Sequence, residues 1–273
     1  MTSPASVRLA VWGDPIAHSK SPDLHAAAYR VLGLSWEYGL RQVSAEAFTA
    51  ALGGLDDTWR GLSLTMPLKG EGYRAAATRD RHAELTGAVN TLVLGAAPAG
   101  FNTDVGGIVD ALSEAGITAA ETARIIGAGA TAASALVAAS EIGVKHVEVR
   151  ARRPERAKAL VALGDRLGIP VEARSLDGGR DTVDLTLSTL PSATALPVET
   201  AVGLAETGGA LFDAAYAPWP SALASRWSDG TVVSGLGMLL HQAVRQIRIF
   251  RHGDPTLPLP AEAEVVSAMR AAL

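Results

Sequence analysis

Lys69 and Asp104 are the residues of this sequence best suited to moving a proton. Lys69 lies just past an apolar segment, Gly61–Thr65, that reads as a strand, and Asp104 follows a second one, Val89–Leu94. An amine and a carboxylate facing one cleft can act as a proton-transfer pair; a structural salt bridge is the competing reading. Hydroxyl and amide groups accompany them. Ser63 and Thr65 precede the lysine, Asn90 and Thr91 open the next strand, and Asn102 and Thr103 run directly into Asp104. Nearer the start, His18, Ser19, Lys20 and Ser21 form a polar cluster whose hydroxyls suit a polyol or a carboxylate. Ser21 has an ordinary explanation as a helix N-cap, followed by Pro22 at the first helical position. Ser19 has no such explanation.

A second kind of chemistry lies at Gly127–Ala128–Gly129. This turn follows a short apolar strand, Ala123–Ile126, and opens a helix of small residues beginning Ala130, Thr131, Ala132. Gly127 permits a tight turn, Gly129 lets a diphosphate approach the backbone, and the helix N-terminus supplies N–H groups and positive potential. The context suits a dinucleotide, with a merely tight strand-to-helix turn as the alternative. No lysine follows in the GxxxxGK[ST] spacing, which sets ATP aside. The end of the next strand distinguishes the nicotinamide cofactors, because an acid there holds the ribose hydroxyls of NAD. Here the stretch is VEVRARRPERA. Arg150, Arg152, Arg153 and Arg156 cluster, and Glu148 lies within the strand rather than at its tip. Guanidinium forks match a 2′-phosphate. NADP is therefore favoured over NAD, against the plainer reading of a solvated basic face.

The elements that must position these groups follow from composition and pattern. The chain has 273 residues, room for one large or two modest domains at roughly 100–200 residues each. Hydrophobic residues make up 48% and charged residues 19%, a globular balance that excludes a disordered tail protein. The formal charge of −4 gives no global argument for nucleic acid or membrane binding. With no cysteine there is no disulfide, thiol nucleophile or Cys₄ zinc site. The histidines at 18, 25, 82, 146, 241 and 252 show no metal-ligand spacing, so no metal is expected. No apolar run reaches membrane length and the opening residues lack a signal-peptide pattern. A cytoplasmic protein acting on a small molecule, as monomer or homodimer, is the expectation.

Strand and helix alternate along the chain, as a parallel sheet requires. The middle of the chain, residues 105–234, reads as a Rossmann-like dinucleotide-binding domain. The final helices have no strands of their own. They are expected to return to the first domain, making it discontinuous, 1–104 plus 235–273, with a cleft between the two. The fold class is thus α/β with two domains.

The stretches GDPIAHSKSPDLHAA, SLTMPLK, GAVNTL, FNTD, GAGATA and SGLGMLLHQA, in this order, resemble the shikimate dehydrogenase family over essentially the whole chain. The resemblance implies NADPH-dependent reversible reduction of 3-dehydroshikimate to shikimate, in aromatic amino-acid biosynthesis. It implies the same two-domain fold, an N-terminal α/β substrate domain completed by C-terminal helices plus a Rossmann-like NADP domain. By motif position Lys69 resembles the catalytic lysine, with Asp104 beside it. Ser19 and Ser21 resemble the pair on the substrate carboxylate, and Thr65, Asn90 and Gln242 resemble further substrate contacts. Tyr216 resembles a tyrosine near substrate and nicotinamide, and Gly235 and Met238 positions on the nicotinamide side. Three places depart from the family pattern: Ser63 replaces the usual Asn, Ala130 the usual third glycine, and Ala151–Arg152–Arg153 the usual Asn-Arg-Thr. The rival expectations are a quinate or quinate/shikimate enzyme using NAD, and a ligand-sensing homologue without catalysis.

Overall fold

The computed structural model describes residues 6–179, 181–228 and 230–273. Residues 1–5, part of the stretch read for a targeting segment, lie outside these. The chain forms two units. One runs to Thr103 and resumes at Gln242; the other is Asp104–His241. The return crossing falls inside a helix, after His241, where the sequence reading put it after 234.

In the first unit the elements are β1 (Val7–Gly13), α1 (Ser21–Val31), β2 (Trp36–Gln42), α2 (Phe48–Gly53), β3 (Trp59–Leu64), α3 (Lys69–Ala75), β4 (Thr78–Arg79), α4 (Arg81–Thr86), β5 (Thr91–Val93) and β6 (Ala99–Phe101). The sheet order is β2-β1-β3-β5-β6-β4. β1 is parallel to β2 and β3, and β5 runs antiparallel to both β3 and β6. Trp12, Phe48, Leu62, Leu64, Leu68 and Leu92 form a buried apolar cluster on this sheet. Each such side chain contributes about 1.5–3 kcal/mol by leaving water.

The start of α1 differs from the sequence reading. Ser21 is the first helical residue rather than the cap, and the cap position, Lys20, makes no side-chain bond. Ser19 Oγ accepts the Ser21 N–H at 3.3 Å instead. Proline lacks an N–H and fits any position in the first turn, so Pro22 allows the helix to begin one residue earlier.

The second unit contains α5 (Asp104–Glu114), β7 (Thr122–Ile126), α6 (Ala130–Glu141), β8 (His146–Arg150), α7 (Lys158–Leu167), β9 (Val171–Arg174), β10 (Leu185–Ser188), α8 (Val198–Glu206), β11 (Ala210–Asp213), β12 (Val232–Ser234) and the start of α9 (Gly235–His252). Its sheet is parallel throughout, in the order β12-β11-β10-β7-β8-β9. That is the doubly wound, Rossmann-like order, with its reversal between β7 and β10. The small residues of α6 are nearly all buried, which lets the helix lie close to the sheet. Helix α10 (Glu262–Arg270), in the first unit, packs on α1.

The β9-to-β10 connection, residues 175–184, has no helix among its described residues. Such a segment leaves backbone carbonyls in need of donors, and two buried arginines supply them. Arg124 donates to the carbonyls of Leu204 at 3.3 Å and Asp181 at 2.6 Å, and to Thr207 Oγ1 at 3.1 Å. Arg150 donates to the carbonyls of Ser175 at 3.2 Å and Gly179 at 3.4 Å. Both guanidiniums pair with Glu148 between them. Burial, followed by the cations of Arg124 and Arg174, lowers Arg150 to about 10, which leaves it charged at neutral pH.

In the first unit His25 is fully buried on α1. It stacks on Tyr38 with ring centroids 3.8 Å apart, and its Nδ1 lies 2.9 Å from the Tyr29 hydroxyl. Burial lowers its pKa from 6.5 to about 3, against a smaller opposing effect of the Gln246 side chain. The unfolded chain therefore takes up a proton near pH 6.5 that the folded chain refuses until about pH 3. This contribution to stability is complete above pH 6.5 and is lost as the pH falls toward 3. His25→Gln should flatten the decline of stability between these limits, whatever it costs at neutral pH; urea melts at a series of pH values check this, and parallel profiles would refute it.

Candidate functional site

In the first unit the polar residues singled out from sequence collect at one edge of the sheet. β1 and β3 run the same way, so the loops after Gly13 and Leu64 leave from one side. β5 runs the other way, and its N-terminal neighbour Asn90 arrives at that same side. The Leu64 N–H donates to Asn90 O at 2.7 Å. β6 returns to the same edge at Phe101, whose carbonyl accepts the Asn90 N–H at 3.0 Å. Asn90 Oδ1 accepts the Thr103 N–H at 2.9 Å, and Asn90 Nδ2 donates to Thr103 Oγ1 at 2.9 Å. The preceding Asn102 is fixed by α4: its N–H donates to Asp80 Oδ1 at 3.2 Å, and its Nδ2 donates to Thr86 Oγ1 at 2.9 Å. Asp80 also caps α4 through the Ala83 N–H. Burial raises the Asp80 carboxyl, opposed by these two backbone donors.

Lys69 opens α3 and is half-buried, and its carbonyl accepts the N–H of Val89, next to Asn90, at 2.9 Å. A cation in the first turn of a helix opposes the helix dipole, so helix stability does not explain a lysine there. Thr65 is half-buried beyond the end of β3. Ser63, at its C-terminal part, is 3% exposed. Ser19 is half-buried and Ser21 buried at the start of α1. Gln242 is buried on α9. Two participants escaped the sequence reading. Tyr38 on β2 donates to Ser63 Oγ at 2.6 Å, and Ser63 donates to Gln246 Oε1 at 2.7 Å. Gln246 lies one helical turn beyond Gln242, and that i, i+4 spacing was a legible signal.

In the second unit all strands are parallel, so their C-terminal ends share one edge. The Gly127–Ala128–Gly129 turn leaves β7 there, next to the point where strand order reverses. Gly127 has φ +115°, and a Cβ on it would lie 2.4 Å from Thr189 Oγ1 at the end of β10. Thr189 donates through that hydroxyl to Ile126 O at 2.9 Å, which holds the turn in place. A Cβ on Gly129, by contrast, would meet nothing within 4 Å. Gly129 caps α6 without a side-chain bond, and no acidic residue lies in the first turn of α6. Ala130 is exposed and Thr131 half-buried in that turn. Open space over an uncapped helix N-terminus is what a diphosphate requires.

Of the arginines expected at the ribose, Arg152, Arg153 and Arg156 are exposed just past β8. Arg150 is not with them. Its side chain is 1% exposed and committed to Glu148 and the 175–179 carbonyls. A central parallel strand is buried on both faces, so hydropathy did not reveal which way Arg150 turns. Glu148, 4% exposed, is held by the same cluster. Tyr216 is half-buried in the loop after β11, and burial raises its phenol. Gly235 is required where α9 starts, because a Cβ would lie 2.1 Å from Ala214 O. Met238 is buried one turn further on. Asp104 is buried as the first residue of α5. Lys69 and Asp104 thus belong to different units. Among the described residues no cluster of three or more metal-ligating side chains occurs, and no helix is long and apolar enough to cross a membrane.

Residues 11–92 match the family model described as the shikimate dehydrogenase substrate binding domain. The chain is 39% identical to the shikimate dehydrogenase of Mycobacterium tuberculosis, whose crystal structure superposes with a TM-score of 0.83, covering 97% of this chain and 99% of that one. A shikimate 5-dehydrogenase of Thermus thermophilus, solved in complex with NADP(H) and shikimate, is 31% identical with a TM-score of 0.80, covering 98% and 100%. The shikimate dehydrogenase (NADP(+)) of Methylobacterium radiotolerans is 35% identical over 254 residues, 89% of this chain and 90% of that protein. Sequence and fold agree along the full length: the chain belongs to the shikimate dehydrogenase family and is an oxidoreductase.

Proposed function

We propose that this protein is an NADP-dependent shikimate dehydrogenase, interconverting 3-dehydroshikimate and shikimate. The observation that carries the reading is the buried Ser63–Asn90–Thr103 cluster beside Lys69, a concentration of hydroxyl and amide groups suited to a polyol acid. The Gly127–Gly129 turn, with open space above Gly129, suits the cofactor. Bound NADP supplies or accepts the hydride at the nicotinamide ring. Arg152, with Arg153 and Arg156 around it, binds the 2′-phosphate as a guanidinium fork. Glu148 supports this choice, because its engagement with Arg124 and Arg150 removes the strand's only acid from the ribose. Gly235 and Met238 border the nicotinamide, and Tyr216 borders both nicotinamide and substrate.

Ser19 and Ser21 bind the substrate carboxylate, and Thr65, Asn90 and Gln242 bind ring hydroxyls. In reduction, the carbonyl carbon gains the hydride and its oxygen becomes electron-rich. The Lys69 ammonium stabilises that oxygen and donates the proton that completes the alcohol. In oxidation, the neutral amine accepts the same proton. Asp104 accepts from a ring hydroxyl.

An absorbance assay with shikimate and quinate, each with NADP and NAD, should give its highest kcat/KM for shikimate with NADP. A preference for quinate or NAD would move the assignment within the family, and binding without turnover would replace it with a sensor. Lys69→Ala should depress kcat by about 10²-fold or more with the cofactor KM nearly parental; near-parental turnover would remove Lys69 from the mechanism.

The two loop glycines should respond differently. Gly127→Ala should cost about 1–3 kcal/mol of stability through its positive φ and the Thr189 contact, read by chemical denaturation. Gly129→Ala should fold as well as the parent yet raise the KM for NADP. Arg152→Ala should raise the KM for NADP several-fold while leaving that for NAD unchanged, and equal effects on both would discount the 2′-phosphate contact.

A further inference from the structure

Ser63 and Asn90 are joined by two side chains outside the set assigned above, Tyr38 and Gln246. The direction of every hydrogen along this chain follows from one fixed point. Asn90 O is a backbone carbonyl and can only accept. The Gln246 atom facing it at 3.2 Å is therefore the amide nitrogen. The amide oxygen then faces Ser63 at 2.7 Å, and since it too can only accept, the Ser63 hydrogen points at Gln246. With its hydrogen committed, Ser63 Oγ can only accept from the Tyr38 hydroxyl 2.6 Å away. The Tyr38 oxygen is left to accept in turn. Gln246 is 2% and Ser63 3% exposed, so water does not compete for these bonds.

We propose that Tyr38 and Gln246 are positioning residues that polarise Ser63, so that it offers a ligand only its remaining lone pair. At that point the site then selects a ligand hydroxyl, which donates, over a carbonyl or carboxylate oxygen, which can only accept. This rests on the substrate reading above and refines it. Ser63 takes a ring hydroxyl, and the carboxylate is left to Ser19 and Ser21; the Ser19 hydroxyl accepts the Ser21 N–H and keeps its own hydrogen to give.

The test uses the full-length enzyme with Tyr38→Phe, Gln246→Met and Ser63→Ala, singly and paired. Gln246→Met releases the Ser63 hydrogen. The KM for shikimate should rise about tenfold, the scale of one hydrogen bond, with kcat and the KM for NADP little changed. Combined with Ser63→Ala, Gln246→Met should add no further rise. A parental KM in Gln246→Met, or an equal rise without Ser63, would overturn the proposal. Chemical denaturation provides a readout independent of turnover: Tyr38→Phe and Gln246→Met should shift the midpoint non-additively through Ser63, and strict additivity would mean the relay does not exist. A parent enzyme that turns over neither shikimate nor quinate would sink the substrate reading instead, and the denaturation cycle would still decide the relay.

Discussion

Strand direction is the constraint on which both units depend. A parallel strand delivers its C-terminal end to one edge of its sheet, and that edge is where loops can present unpaired backbone and polar side chains. In the second unit, with six parallel strands, it gathers Gly127–Gly129, Arg152, Thr189 and Tyr216 without any further device. In the first unit the same result needs one reversal. β5 runs against β3, so the residue before it, Asn90, reaches the edge that Thr65 reaches by leaving β3. β6 reverses again and brings Thr103 there as its successor. Asn90 then bonds to Leu64, Phe101 and Thr103, and a single asparagine ties three strand ends together.

That geometry explains what the sequence showed and what it hid. The motifs were legible because each loop carries residues that a solvated turn does not need: hydroxyls at 63 and 65, amides at 90 and 102, two glycines before a small-residue helix. Their grouping was not legible, because an antiparallel β5 and a parallel one have the same hydropathy. The short strands β4 and β6 also went unread, because two or three residues give too little periodicity to register. The hydroxyls at 19 and 21 exchanged roles. A serine before proline reads as a cap, yet proline is tolerated anywhere in the first turn, and only the backbone shows that Ser19 accepts the helix N–H.

Arg150 illustrates the same limit from the energetic side. A row of arginines after a strand reads as one basic patch, but the end of the strand divides it: Arg150 is the last residue of β8 and turns inward, while Arg152 is past its end. The inward arginine shares Glu148 with Arg124, and a buried carboxylate between two guanidiniums contributes little net stability by itself. Its value lies in the five donors each guanidinium carries, which satisfy carbonyls of the β9-to-β10 connection and of Leu204 in α8. The cluster also commits Glu148, the acid of β8, to two guanidiniums within the sheet.

A buried hydroxyl has no preferred direction until something that can only accept, or only donate, removes the choice. In the first unit that something is backbone, the Asn90 carbonyl, which the β3–β5 pairing itself holds in place through Leu64. From it the order passes to Gln246, Ser63 and Tyr38 without a charged group among them. The family pattern has an asparagine at 63, which carries a donor and an acceptor on one rigid plane. A serine there is shorter and can rotate, and it becomes directional only because Gln246 and Tyr38 occupy two of its three bonding directions. The hydroxyl at 63 is thus held by two residues at fixed distances, which makes positions 38, 63 and 246 a single unit of recognition.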